Sequence, residues 1–160
     1  MRRVLAALLA GLVAAAPLAA RESLGIFDGW GSFRDPEIPR CYAISRPIRE
    51  RSGDWEPFVA IGYWPERNVG GQLHVRLRRA MYEDRGARLT IGGRSFDLVG
   101  RGPDAWADNA RDDAAIVAAI RAGMTMRIEA VSESGGRFAD SYALAGAATA
   151  IDAAALGCAR

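Results

Sequence analysis

The sequence predicts an α+β protein, a mostly antiparallel β-sheet or sandwich with two helices, one mid-chain and one C-terminal. Several short segments alternate apolar with polar residues, and turns rich in glycine and proline separate them. Residues 110–122 carry a helix start signal and an apolar stripe, and residues 147–156 are rich in alanine. The sequence contains no internal repeat, and its length of 160 residues suits one hydrophobic core.

The first twenty residues have the pattern of a secretory signal peptide. Arg2 and Arg3 precede an apolar segment at residues 4–16, and small side chains end the stretch at residues 17–20. The apolar segment is too short to span a bilayer. We therefore expect residues 1–20 to be removed on export. A single mature domain at residues 21–160, without a transmembrane span, would then be periplasmic, outer-membrane-associated or secreted.

The charge balance of the mature chain excludes one class of partner. The chain has 21 basic and 19 acidic residues. Because Arg2 and Arg3 leave with the signal peptide, the mature chain carries equal numbers of both signs. Nucleic-acid binders keep a basic excess on the folded domain, so we expect no nucleic-acid partner.

In the N-terminal half, the predicted strands lie between prolines and glycines. Residues 21–28 are predicted to be a mobile lead-in to the aromatic segment 30–33. Strands follow at 40–46, 58–64 and 72–79, with a loop at 68–71. The strand 72–79 has the cleanest alternation, which predicts one buried face and one basic face. Its apolar positions are Leu73, Val75 and Leu77, and its polar positions are His74, Arg76 and Arg78.

The C-terminal half predicts a hairpin, a helix, two further strands and a last helix. Strands 87–91 and 94–99 flank Gly92 and Gly93, which can both take positive φ in a tight turn. After a loop at 101–108, Asp108 or Asn109 can cap the helix 110–122, and Gly123 follows its last turn. The remaining elements are strand 124–132 with Met124, Met126, Ile128 and Ala130 facing inward, strand 137–144, and helix 147–156.

The two cysteines, Cys41 and Cys158, predict a structural disulfide. An even cysteine count in an exported protein is typical of such a bridge. A free buried pair and a metal site are the alternatives. His74 is the only histidine and no Cys-x-x-Cys pattern occurs, which disfavours the metal site.

The sequence offers few groups for catalysis. No pattern marks a serine or cysteine nucleophile for His74, and metalloprotease, nucleophile-elbow and phosphate-loop motifs are absent. Asp104 and Asp108 form a carboxylate pair that could do acid–base chemistry, but helix capping and loop solvation explain the pair better. We therefore expect no catalytic residues, no cofactor and no metal.

The best candidate for a binding surface is the polar face of strand 72–79. His74, Arg76 and Arg78 share this face, and Arg88 could join them from the next strand. The strip could meet an acidic polymer, lipid headgroups or an acidic partner surface. An ordinary solvated face is the alternative. Trp106 belongs to the same candidate surface and could be an interface anchor or fold back over the rim of the core.

Asp140 shares strand parity with apolar neighbours and is therefore predicted to face inward. A buried carboxylate needs a cationic or N–H partner. Arg137 and Arg127 are among the candidates for that partner, and the expected role is structural.

Several segments together resemble the invasion-associated locus B family of small exported bacterial proteins. The matching segments are Trp30-Gly31-Ser32-Phe33, Cys41-Tyr42, Asp104-Ala105-Trp106-Ala107, the helix ending at Gly123 and the strand after it, Asp140-Ser141-Tyr142-Ala143-Leu144, and Cys158. The resemblance implies a mostly β, envelope-associated protein without a known cofactor. It implies no catalytic residues.

The sequence therefore predicts an exported, non-enzymatic binding or interaction module. The expected partner is another envelope protein or an acidic surface. Two alternatives stay open: a small hydrolase-like enzyme with an unrecognised carboxylate site, and a purely structural envelope protein.

Overall fold

The computed structural model describes residues 21–82 and 85–159, so the signal peptide predicted at residues 1–20 lies outside the described residues. Within these ranges the chain forms ten strands and two α-helices. The strands are β1 (Glu22–Phe27), β2 (Trp30–Asp35), β3 (Arg40–Ser45), β4 (Phe58–Trp64), β5 (Val69–Arg76), β6 (Ala87–Ile91), β7 (Arg94–Arg101), β8 (Asp104–Ala107), β9 (Thr125–Val131) and β10 (Arg137–Ala143). The helices are α1 (Ala110–Ala122) and α2 (Ala147–Gly157), and a 3₁₀ turn spans Pro65–Arg67.

All ten strands belong to one antiparallel sheet in the order β1-β2-β3-β4-β5-β8-β7-β6-β9-β10. The predicted α+β class, with one helix in mid-chain and one at the C-terminal side, is confirmed. Strands β1 to β5 run as successive antiparallel neighbours. The hairpin β6–β7 and the short β8 then fold back, so that β8 pairs with β5 and β6 pairs with β9.

The core lies between the inner face of the sheet and the two helices. Helix α2 packs on β1, β2 and β3 through a buried face of three alanines and Ile151. Trp30 is fully buried there, and its indole Nε1 donates to the carbonyl oxygen of Ala143 at 2.9 Å. This hydrogen bond joins β2 to β10, so strands far apart in the sheet order share one core.

The predicted disulfide is confirmed. Cys41 lies fully buried in β3, and Cys158 follows the last turn of α2, 117 residues further along the chain. Since α2 already packs on β3, the bridge locks the helix to the strand that it covers.

Helix α1 begins with the predicted cap: the side chain of Asn109 accepts hydrogen bonds from the backbone N–H groups of Arg111 and Asp112. Its apolar stripe is joined by a buried carboxylate, Asp113, whose Oδ1 accepts from the backbone N–H of Leu73 at 2.8 Å. Leu73 is one residue outside the β5–β8 pairing, which begins at His74. Asp113 therefore satisfies a strand N–H that lies beyond the pairing of β5 with β8, and burial raises the pKa of its carboxyl.

The expected mobile lead-in at residues 21–28 is wrong, because residues 22–27 form the edge strand β1. A β-bulge shifts the register between Ser23 and Gly25. A bulge interrupts the two-residue alternation that identifies a strand, which hides β1 from a pattern reading. Leu24 and Phe27 pack against the core from this strand.

Two expected loops also prove to contain strand. Residues 104–107 of the expected loop 101–108 form β8, which is only four residues long and so shows no clear period. At Gly100 a Cβ atom would lie 2.0 Å from the carbonyl oxygen of Asp104, so the glycine permits the tight return. The expected loop 68–71 largely belongs to β5, which begins at Val69.

The β6–β7 turn is confirmed, with positive φ at both Gly92 and Gly93. The end of α1 differs from expectation. Gly123 has φ of −91°, and its missing Cβ instead makes room for Ile91 and Leu144. Met124 was expected to face inward but is 86% exposed, because β9 starts one residue later.

Replacing Cys41 and Cys158 with alanine is expected to lower the free energy of unfolding by at most about 4–5 kcal/mol. The crosslink removes loop entropy from the unfolded chain, and the loop is long. Urea unfolding of both proteins measures the difference. A mass spectrum of the unreduced protein showing two free thiols would contradict the bridge.

The Asp113→Ala variant is expected to lose about 1–3 kcal/mol of stability, because the buried N–H of Leu73 is left without an acceptor. The Asp113→Asn variant keeps an acceptor oxygen and should lose less. Thermal unfolding compares the two. Equal losses would show that α1 needs the charge at this position and not the hydrogen bond.

Candidate functional site

The strip predicted from strand 72–79 divides into two parts. His74 and Arg76 lie on the outer face of β5 with about a third or less of each side chain exposed. Arg78 lies beyond the end of β5 and is only 6% exposed. Leu77 and Arg78 are both buried, so the strand alternation stops before Arg78. The expectation of one basic face with three members is therefore wrong.

Asp104 on β8 organises the outer-face part. Its Oδ1 lies 2.8 Å from Nε2 of His74 and accepts from Nε of Arg76 at 2.6 Å. The register places Arg76 directly opposite Asp104, which explains why these side chains meet. One carboxylate thus compensates the guanidinium and orients the imidazole, so this surface carries little net charge.

Aromatic rings enclose the same polar group. The Trp106 ring stacks on the His74 ring with centroids 5.1 Å apart and planes inclined by 5°. The Phe58 ring contacts the His74 ring edge-on, with the two centroids 5.1 Å apart. The Arg76 guanidinium lies 5.9 Å from the centroid of the Phe58 ring. We refer to Phe58, His74, Arg76, Asp104 and Trp106 as the outer-face cluster.

Trp106 lies in a strand, where the sequence predicted a loop. It lies in β8 opposite His74, on the outer face of the sheet, and is half-buried by that stack. It does not cover the core rim. Val99 on β7 lies opposite Trp106 on the other side and is 46% exposed. The cluster is therefore flanked by one exposed apolar side chain on β7.

Arg78 pairs with Asp140, which is buried as predicted. Arg78 Nε donates to both carboxylate oxygens of Asp140, at 3.1 and 3.2 Å, and the Phe138 ring lies 5.1 Å from the guanidinium. Arg127 and Arg137, the named candidates for this partner, are not used, because both are exposed. Arg127 pairs with Glu129 instead.

Arg88 does not join His74 and Arg76. Strand β6 pairs with β7 and β9, so β8 and β7 separate it from β5. Arg88 forms an exposed ion pair with Asp97 at 3.0 Å. Strand β6 follows β5 in the sequence, which suggested that the two strands are neighbours, but they are not adjacent in the sheet.

Asp104 and Asp108, weighed as an acid–base pair, have different surroundings. Asp104 is held by His74 and Arg76, whereas Asp108 is exposed and precedes the cap residue Asn109. Within residues 21–82 and 85–159, no three histidine, cysteine or acidic side chains are grouped to hold a metal ion.

No protein-family model, no curated protein and no solved structure matches this chain. In the part of the chain that the structure describes, neither helix is both long and apolar enough to cross a membrane.

Replacing Asp140 with asparagine is expected to destabilise the protein by about 3–5 kcal/mol, because Arg78 keeps a buried charge that has lost its partner. The matched control is Asp97→Asn, which breaks the exposed pair with Arg88 and should cost about 0.2–1 kcal/mol. Urea unfolding measures both. Similar small losses in the two variants would contradict a structural role for the buried pair.

Proposed function

We propose that this protein is an exported, envelope-located interaction module without catalytic activity, and that it binds another protein through the outer-face cluster. The observation that carries the proposal is the stacked His74–Trp106 pair on the open face of the sheet. An aromatic pair held in one geometry at the surface provides contact area without having to be ordered on binding.

The residue types in the cluster support a protein partner. Tryptophan and arginine are enriched among the residues that dominate binding energy at protein interfaces. Trp106 and Arg76 lie within one such group, and Val99 extends it with an exposed apolar side chain. Since Asp104 already compensates Arg76, a protein surface of mixed polarity fits this face better than a strongly acidic one.

Three observations support export and an envelope location. Residues 1–20 have the signal-peptide pattern. The buried disulfide Cys41–Cys158 is of the kind that persists in oxidising compartments. The chain also resembles the invasion-associated locus B family in the segments that contain Trp30, Cys41, Trp106, Asp140 and Cys158.

The geometry of Asp104 supports a binding role over a hydrolytic one. The same oxygen, Oδ1, contacts both Nε2 of His74 and Nε of Arg76. This carboxylate oxygen is therefore already engaged by two neighbouring side chains. Its contacts fix two surface side chains in place.

Site-specific photo-crosslinking in the cells that make the protein tests this function. A photoreactive residue at position 99, beside Trp106, is expected to capture a protein that mass spectrometry can identify. Adding Trp106→Ala should remove at least about nine-tenths of the adduct, since interface tryptophans commonly contribute 2 kcal/mol or more. Fractionation of the same cells should recover the protein in the periplasm or outer membrane.

The control places the photoreactive residue at position 124, which is highly exposed and outside the outer-face cluster. It should give no specific adduct. If both positions capture the same proteins, or if the adduct at position 99 survives Trp106→Ala, the outer-face cluster is not the binding surface.

A further inference from the structure

A second surface feature lies at the other end of the sheet, where β6, β7, β9 and β10 border a concavity of about 610 Å³. We refer to it as the arginine cavity. Six of the fifteen lining residues are arginine and two are acidic. The arginines are Arg51, Arg78, Arg85, Arg88, Arg127 and Arg137, and the acidic residues are Asp97 and Glu129.

The carboxylates near the cavity compensate only part of this charge. Asp97 pairs with Arg88 and Glu129 pairs with Arg127, each at 3.0 Å, while Arg78 is paired with Asp140. Arg51 and Arg137 are exposed, and neither forms an ion pair in the described part of the chain. Two guanidinium groups on the cavity wall therefore keep their donors available.

The loop that carries Arg51 is tied to the rest of the cavity. Asp54 donates its backbone N–H to the carbonyl oxygen of Arg78 at 2.8 Å, and Arg78 Nη1 donates to the carbonyl oxygen of Ser52 at 3.3 Å. A Cβ at Gly53 would lie 2.3 Å from the Arg78 carbonyl oxygen, so only glycine allows this approach. The buried ion pair thus positions the Arg51 loop.

Arg137 is positioned by β10, which also contacts Arg78. It is the first residue of β10, and the next residue, Phe138, packs its ring against the Arg78 guanidinium at 5.1 Å. Arg78 therefore contacts both the loop that carries Arg51 and the strand that carries Arg137. The two available arginines are held on one framework, which favours a shared ligand over two independent solvated charges.

The charge distribution singles out this region. The mature chain carries equal numbers of basic and acidic residues, so an overall basic charge does not explain a local excess of arginine. The lining holds six arginines and two acidic residues, and a concave surface with such an excess of one sign concentrates ligands of the opposite sign. Guanidinium groups bind phosphate through paired, charge-assisted hydrogen bonds.

We propose that the arginine cavity binds a ligand that carries two or more phosphate groups. The cavity of about 610 Å³ is larger than a single phosphate ion, and a ligand with a phosphate group at each available arginine would fill more of it. Soluble polyphosphorylated molecules and phosphorylated lipid headgroups share this chemistry.

Calorimetric titration with inorganic pyrophosphate at low ionic strength tests the site, because salt screens exposed charges. Saturable binding is expected. Arg51→Gln and Arg137→Gln should each weaken it about tenfold, since each removes a charge-assisted hydrogen bond to the anion. The matched control is Arg111→Gln on α1, which removes the same charge outside the cavity and should leave the affinity within about twofold, because distant exposed charges are screened.

Two further measurements distinguish the source of the ligand. Flotation with phosphatidylcholine vesicles that contain phosphatidic acid, lost in the Arg51→Gln and Arg137→Gln variants, would identify a lipid headgroup as the source. Pyrophosphate binding without flotation would identify a soluble ligand. Absence of both, or equal binding by the cavity variants and Arg111→Gln, would overturn the proposal.

The test is independent of the proposed protein partner. Trp106→Ala changes the outer-face cluster and should leave pyrophosphate binding unchanged, while Arg51→Gln and Arg137→Gln should leave the crosslink at position 99 unchanged. Failure of one result therefore does not decide the other.

Discussion

The buried ion pair between Arg78 and Asp140 is the interaction on which much of this structure depends. It connects the segment after β5 to β10, two parts of the chain 62 residues apart. Burying two charges is costly, and mutual attraction offsets that cost only when the geometry is good and the remaining donors are satisfied. Here the guanidinium also donates to the Ser52 carbonyl and packs on Phe138. One side chain thus orders a loop, a strand end and the wall of a cavity.

Two arginines at the end of β5 contribute to the two different candidate surfaces. Arg76 is the last residue of β5 and belongs to the outer-face cluster, whereas Arg78 lies two residues later and lines the arginine cavity. A change of backbone direction over a short segment therefore assigns neighbouring arginines to different environments. Arg76 is about a third exposed and is compensated by Asp104, whereas Arg78 is buried and compensated by Asp140.

Local signals in the sequence were enough to predict the elements that depend on local physics. Gly92 and Gly93 mark a hairpin because both residues can take positive φ, and Asn109 is one of the two caps predicted for α1. The cysteine pair was predicted from the even cysteine count and the expected export of the chain. Strand β1 was not predicted because a bulge interrupts its alternation of apolar and polar residues. Strand β8 was not predicted because four residues are too few to show such an alternation. Both strands can be identified only from their pairing with neighbouring strands of the sheet.

The composition of the sites depends on non-local pairing in the same way. His74, Arg76 and Trp106 were identified as candidate residues, but the role of Asp104 required knowing that β8 lies beside β5. Asp140 was correctly predicted to face inward, yet its partner Arg78 was assigned to the wrong face. The alternation of residues 72–79 predicted that the strand continues past Arg76. In the structure the Leu77 N–H donates to the carbonyl oxygen of Pro103, which lies in a turn that no local sequence pattern predicts.

The disulfide also has a consequence for how the chain reaches its final state. Because 117 residues separate Cys41 from Cys158, ribosomal synthesis takes on the order of ten seconds to extend the chain from the first cysteine to the second. During that interval Cys41 has no partner within its own chain, and any disulfide that it forms is with another molecule. The bridge that fastens α2 to β3 in the finished fold therefore forms only after the last helix is available, so the earlier part of folding proceeds without it.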